Sequence, residues 1–223
     1  MIARRLRQVL FVLTAFASTA PGWSSTIFTN FGTNDSYDTG TRYTVDRGQW
    51  LGVQFTPSAS GAASSILLPL GMFNGGTYNG LPSDDLLISL RAPGSDPTGT
   101  VLESWPFAPT DLAFAPSIRT LNSVVHPILT SATAYWLRVE SDAMWNAQTC
   151  CLSYTWSANS TGMFGVKYTD DQGLSWINSP VDATAAFEVN ASAVPEPSSA
   201  MLLTGSLALV ALSRRWRVSG KRE

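Results

Sequence analysis

The sequence predicts an all-β fold: an antiparallel, jelly-roll-like β-sandwich between residues 18 and 193. Three observations carry this expectation. Apolar and polar residues alternate at period two in many short runs. Clusters of Gly, Pro, Asn, Asp and Ser separate those runs, and no long 3.6-residue period intervenes. Repeated strands without crossover helices belong to two antiparallel sheets packed face to face. A body of about 170 residues exceeds the seven-strand immunoglobulin plan and suits a jelly-roll-like sandwich better.

Strands are expected over 26–31, 50–56, 64–72, 85–91, 100–105, 120–126, 134–140, 150–156, 163–169 and 184–190. Leu51, Val53 and Phe55 alternate with Gln54 and Thr56, and Leu86, Ile88 and Leu90 share one face. Tyr135, Leu137 and Val139 share a face, with Trp136, Arg138 and Glu140 opposite. Ala185, Phe187 and Val189 alternate with Glu188 and Asn190. The breaks between runs are turn-rich, as in Asn74-Gly75-Gly76, Pro93-Gly94-Ser95-Asp96-Pro97 and Asp170-Asp171-Gln172-Gly173.

Charge is unevenly placed. Three of the 14 Lys and Arg residues lie at the N-terminus (Arg4, Arg5, Arg7) and five at the C-terminus (Arg214, Arg215, Arg217, Lys221, Arg222). The six between them face 14 Asp and Glu, so the body carries a net charge of −8. An acidic body lacks the basic stripe that nucleic-acid binding requires. No nucleic-acid partner is expected.

Residues 1–17 read as a secretory signal peptide. Arg4-Arg5-Leu6-Arg7 is a cationic n-region, Val9 to Ala17 is a short apolar h-region, and Ala15 and Ala17 offer small residues for cleavage after Ala17. Signal peptidase and the secretion machinery are the partners this implies.

Residues 194–223 form a second, distinct segment. Pro195-Glu196-Pro197 can continue neither strand nor helix, because proline removes a donor and restricts its predecessor. The apolar run from Ser198 to Ser213 would be about 24 Å long as a helix at ~1.5 Å per residue. That is short for a hydrocarbon core of about 30 Å, so it reads as a marginal transmembrane helix. Arg214, Arg215 and Arg217 would form a cytoplasmic basic stop, leaving the body outside the cytoplasm.

The triplet, the glycine-interrupted apolar run and the basic cluster occur in the order and spacing of a PEP-CTERM sorting signal, which this tail resembles. The resemblance implies an exosortase-type membrane transpeptidase as partner. That enzyme would cut near the triplet, releasing a transiently inner-membrane-anchored chain to the cell surface or extracellular matrix. It further implies a setting of exopolysaccharide and biofilm. Trp50-Leu51-Gly52-Val53-Gln54-Phe55-Thr56-Pro57, Gly99 to Trp105 and Thr133 to Val139 resemble choice-of-anchor domains, β-rich modules that precede anchoring tails. That likeness implies a sandwich and no assigned activity.

Within the body, Thr169-x-Asp171-x-Gly173-x-x-Trp176 is similar to an Asp-box, a structural hairpin turn in which Asp accepts backbone donors, Gly takes a positive φ and Trp packs beneath. Asp35 and Asp38, within Asn34-Asp35-Ser36-Tyr37-Asp38-Thr39-Gly40, are candidate calcium ligands among hard oxygens. The segment lacks EF-hand spacing and a closing Glu, so a solvated loop and no cofactor are expected. The only histidine, His126, precedes Pro127, and neither Gly-x-Ser-x-Gly nor His-Glu-x-x-His occurs. No catalytic residue is expected.

Trp50, Trp105, Trp136, Trp145, Trp156 and Trp176 could stack on sugars, but strand tryptophans are foremost core fillers. A carbohydrate-binding module, with calcium near Asp35 and Asp38, is the alternative to a structural or adhesive matrix protein. Cys150 and Cys151 are adjacent, which leaves a strained vicinal disulfide, two unpaired thiols or intermolecular pairing, the first two favoured over the third. Asn34, Asn159 and Asn190 open Asn-x-Ser/Thr triplets.

Overall fold

The computed structural model describes residues 24–74, 84–142, 152–163, 165–179 and 183–192. The signal peptide, the sorting tail, Trp145, Cys150 and Cys151 lie outside the described residues. Within them the chain forms thirteen strands in two antiparallel sheets packed as a sandwich.

The strands are β1 (Ser24–Thr29), β2 (Tyr37–Val45), β3 (Trp50–Phe55), β4 (Gly61–Asn74), β5 (Leu86–Arg91), β6 (Val101–Phe107), β7 (Ser117–Asn122), β8 (Ile128–Leu129), β9 (Tyr135–Ser141), β10 (Leu152–Asn159), β11 (Val166–Thr169), β12 (Ile177–Asn178) and β13 (Glu188–Ser192). One sheet runs β1-β13-β4-β10-β2, with β7 and β8 on the other edge of β4. The second runs β12-β11-β3-β9-β5-β6.

Five of these strands depart most from the sequence expectation. β2 covers residues expected to lie in a polar loop; the segment is extended because alternation continues through Thr41, Tyr43 and Val45, of which Tyr43 and Val45 are buried. β8 and β12 are two-residue pairings too short to leave a period. The strand expected over 120–126 ends at Asn122, where Ser123 begins a turn. The run expected over 184–190 shifts to Glu188–Ser192, with Ala185 in an isolated bridge to Ala158.

The core is the set of inward faces of both sheets. Leu51, Val53 and Phe55 on β3 and Leu137 and Val139 on β9 meet Ile66, Leu68 and Leu70 on β4 and Tyr154 and Trp156 on β10. Phe187 is its aromatic centre, with ring centroids 4.8 Å from Phe28, 5.5 Å from Phe55 and 5.9 Å from Trp156. These tilted and edge-on separations are the favourable range for aromatic pairs. Buried Asn30 acts as an extra rung of strand: its Nδ2 donates to Ala185 O at 2.9 Å and its Oδ1 accepts Phe187 N–H at 2.7 Å.

The register distinguishes two ends of the sandwich. The turn through Asp46 and Gln49 joins β2 to β3 at one end, where β9 finishes at Ser141, β5 starts at Leu86 and β11 finishes at Thr169. At the other end the segment 56–60 joins β3 to β4. There Ile128 pairs with Ala62, Ala62 with Ser192 and Ser192 with Ser24. The body therefore receives and releases its chain at one level of one sheet.

Candidate functional site

The most elaborate side-chain constellation among the described residues lies on the outer face of the β3–β9–β5 sheet. Alternation on β9 points Trp136, Arg138 and Glu140 away from the core, the face that sequence reading leaves to solvent. In the structure Trp136 and Arg138 are buried. The segment between β5 and β6 folds back over them, and the turn between β11 and β12 closes from the other side. Gly52 permits this cover, because a Cβ there would sit 2.5 Å from Pro97 Cγ.

The Arg138 guanidinium lies between two indoles, 4.8 Å from the Trp50 ring and 5.4 Å from the Trp176 ring. Such stacking is worth roughly 0.5–2 kcal/mol per pair, more when desolvated. Arg138 Nη2 also pairs with Glu140 Oε2, and Glu140 Oε1 lies 3.9 Å from Arg91 Nη2. Arg91 is held in turn, its Nε donating to Ser89 Oγ at 2.9 Å and its Nη1 to Gly99 O at 3.2 Å. Lys167 Nζ contacts Asp96 Oδ1 at 2.5 Å and donates to Ser95 O at 2.9 Å, while Trp136 Nε1 donates to Gly94 O at 3.0 Å. Arg91, Arg138 and Lys167 on this face each tie the 94–99 segment to the sheet, Arg138 also reaches Trp176 of the 169–176 turn, and Glu140 links the two arginines. The charges pair with one another and with backbone carbonyls of the covering segment, which is the arrangement of a fastener.

The turn at 169–176 is built by short-range hydrogen bonds. Asp171 Oδ1 accepts Ser175 N–H at 2.9 Å, Asp171 Oδ2 accepts Ser175 Oγ at 2.5 Å, and Thr169 Oγ1 accepts Gly173 N–H at 3.0 Å. Gly173 has φ +88°, and a Cβ there would sit 3.1 Å from Trp50 Cζ3. Hydrogen bonds from Ser175 and Thr169 pull the Asp171 carboxyl down to about 2. A carboxylate depressed in the folded state adds stability above its ordinary value of 3.8, lost as pH falls through about 2. Asp171→Ala is expected to speed amide exchange at Ser175 and to remove this part of the acid dependence. Exchange at Ser175 unchanged from the parent would contradict it.

The other singled-out residues are dispersed. Asp35 is exposed in a short 3-10 turn, and Asp38 sits on β2, where its Oδ1 accepts Gly40 N–H at 2.7 Å. Hydrogen bonds from Thr41 and Gly40 hold the Asp38 carboxyl below its usual value, so those lone pairs serve the strand's own bend. Among the described residues no three His, Cys, Asp or Glu side chains gather as metal ligands.

His126 has φ 51°, and its Nδ1 lies 2.9 Å from the Ala63 carbonyl. The neighbouring Ser123 Oγ donates to Glu103 Oε2 at 2.5 Å and accepts His126 N–H at 2.9 Å. Ser, His and Glu are thus close, but the imidazole faces a carbonyl instead of the hydroxyl, so no base is set on the serine. Glu103 instead caps the turn, its Oε1 accepting Val124 N–H at 2.6 Å and Val125 N–H at 3.1 Å. Sequence reading missed this cap, since Glu103 and the turn are 20 residues apart and no spacing rule joins them.

Trp156 is fully buried and donates to Ala186 O at 2.7 Å. Trp105 donates to Asn122 O and Trp50 to Ser141 O, each at 2.9 Å. Asn159 is buried, its Nδ2 donating to Thr184 O at 2.7 Å and to Met163 O at 3.0 Å. It organises the loop after β10, and its amide is inaccessible to a modifying enzyme in the folded body. No helix among the described residues is long and apolar enough to cross a membrane.

No protein-family model matches the chain, and no curated protein matches it.

Proposed function

We propose that this chain is an exported, non-catalytic β-sandwich protein that carries a PEP-CTERM-type sorting tail and serves a structural or adhesive role in a surface or extracellular matrix. The single observation that carries the reading is the tail: Pro195-Glu196-Pro197, an apolar run of marginal spanning length, then Arg214, Arg215 and Arg217. An exosortase-type transpeptidase is its processing partner, and signal peptidase acts at the N-terminal segment. The chain is held briefly in the inner membrane and then passes to the cell surface or beyond, in an exopolysaccharide or biofilm setting. We keep the jelly-roll-like description for the body, whose consecutive strands β2 and β3, and β10 and β11, change sheet.

The body supports a structural role through what its polar side chains do. Arg138, Glu103 and Asn159 each fasten a loop to a sheet, Glu140 links Arg138 to Arg91 across neighbouring strands, and Asp171 closes its own turn. The carbohydrate-binding alternative draws less support, because Trp50, Trp105, Trp136, Trp156 and Trp176 are all buried or half-buried and offer no stacking platform.

Mass spectrometry of the native exported protein tests the reading. The expected product begins after the signal peptide and ends near Pro197. Exported material with an intact C-terminus at Glu223 would overturn the processing proposal.

A further inference from the structure

Val124, Val125 and Ile128 are 83 %, 64 % and 58 % exposed, an apolar trio formed by the turn after β7 and the first residue of β8. Their display is built in. Glu103 accepts both valine N–H groups from beneath, Ser123 N–H donates to Ser64 O at 2.9 Å, and Ala63 N–H donates to Pro127 O at 2.9 Å. The backbone is pinned at each step, so the side chains are held outward on a rigid support.

The trio sits where the chain leaves the body. Ile128, Ala62, Ser192 and Ser24 lie side by side on β8, β4, β13 and β1. Strands are about 4.8 Å apart, which puts Ser192 roughly 10 Å from Ile128. From Ser192 to the start of the apolar run at Ser198 the chain reaches at most about 20 Å at ~3.4 Å per residue. The opposite end of β4 lies about 45 Å away, fourteen residues at ~3.3 Å.

Charge is divided between the same two ends. The segments forming the exit corner, 56–66, 120–134 and 189–192, contain no Asp, Glu, Lys or Arg. Asp84, Asp85, Asp111, Asp142, Asp170 and Asp171 all follow or precede strand ends at the far side. The carboxylate beneath the corner, Glu103, is buried and already bonded to Ser123, Val124 and Val125. The outward surface of these segments therefore meets a lipid interface with no ionic group to desolvate, whereas the exposed carboxylates of the far end are repelled by anionic headgroups.

We infer that the Val124–Val125–Ile128 corner rests on the lipid bilayer while the sorting tail holds the chain in the membrane, with the acidic end pointing away. The inference depends on the proposed membrane insertion of the tail and adds an orientation to it. The partner surface is the headgroup–acyl boundary, the depth at which short apolar side chains on a polar body are accommodated.

The test uses the full chain in nanodiscs of phosphatidylethanolamine and phosphatidylglycerol, with photoreactive benzoylphenylalanine placed in turn at Val125, Leu174 and Leu207. Leu174 is 89 % exposed at the acidic end and serves as an apolar control. Lipid adducts from Val125 and Leu207 but none from Leu174 are expected, and Val124→Asp with Ile128→Asp should abolish those at Val125. Adducts from Leu207 with Val125 as silent as Leu174 would overturn the orientation and leave the tail reading standing. Silence at Leu207 would sink the tail reading and the orientation together. Chain-to-chain adducts at Val125 in place of lipid would reassign the corner to a second copy and overturn the proposal.

Discussion

Replacing Arg138 by methionine is expected to destabilise the body by about 3 kcal/mol, because removing one member of a buried pair strands the other. Glu140 would keep only Arg91, at 3.9 Å, and both indole faces would lose their cation. In a domain of this size that corresponds to a fall in melting temperature of about 6–12 °C. Thermal denaturation of the single variant checks the value. The double variant Arg138→Met with Glu140→Leu separates the causes, since an apolar pair of similar volume recovers most of what a stranded carboxylate costs. A double variant no more stable than the single one would show that the indole contacts, and not the ion pair, carry the effect.

Glu103→Ala should cost about 2–4 kcal/mol, for it leaves two backbone N–H groups and the Ser123 hydroxyl without their charged acceptor. Burial opposes ionisation of this carboxyl, but the hydrogen bonds from Ser123, Val124 and Val125 and the nearby His126 outweigh it, and its pKa falls below 4.5. The sign follows from linkage: a depressed carboxylate contributes fully above its unfolded value and loses the contribution as pH falls through the folded one. The stability gap between the parent and Glu103→Gln should therefore be widest near neutrality and close in acid. Urea denaturation across that range measures it, and a gap independent of pH would refute the cap.

The contrast between these two sites explains which parts of the molecule can be read from its sequence. Strands such as β3, β5 and β9 have one face in the core, so Leu51, Val53 and Phe55 announce themselves by period two. The turn at 169–176 is equally readable, because Thr169, Asp171, Gly173 and Ser175 bond within four residues of one another. Arg138 defeats the same reasoning. It alternates with core residues and reads as solvent-facing until the 94–99 segment, more than 38 positions away, covers it. Glu103 is hidden for the same reason, and β2 because Asp38 and Gly40 speak for a loop while only Tyr43 and Val45 speak for a strand. Local chemistry leaves a local signature; cover supplied by a distant segment leaves none.

The pairing of β13 between β1 and β4 has a consequence in time. Among the described strands, β1 finds its ladder in β13, and Thr26 Oγ1 bonds Asn190 Oδ1 across 164 residues. The first strand must wait for the last. Folds dominated by such distant pairings form slowly, since loop closure precedes any gain from contact. A chain emerging from its N-terminus thus stays an incomplete sheet, open at β4, until residue 192 arrives. Completion of the domain is a report that the whole body has been delivered.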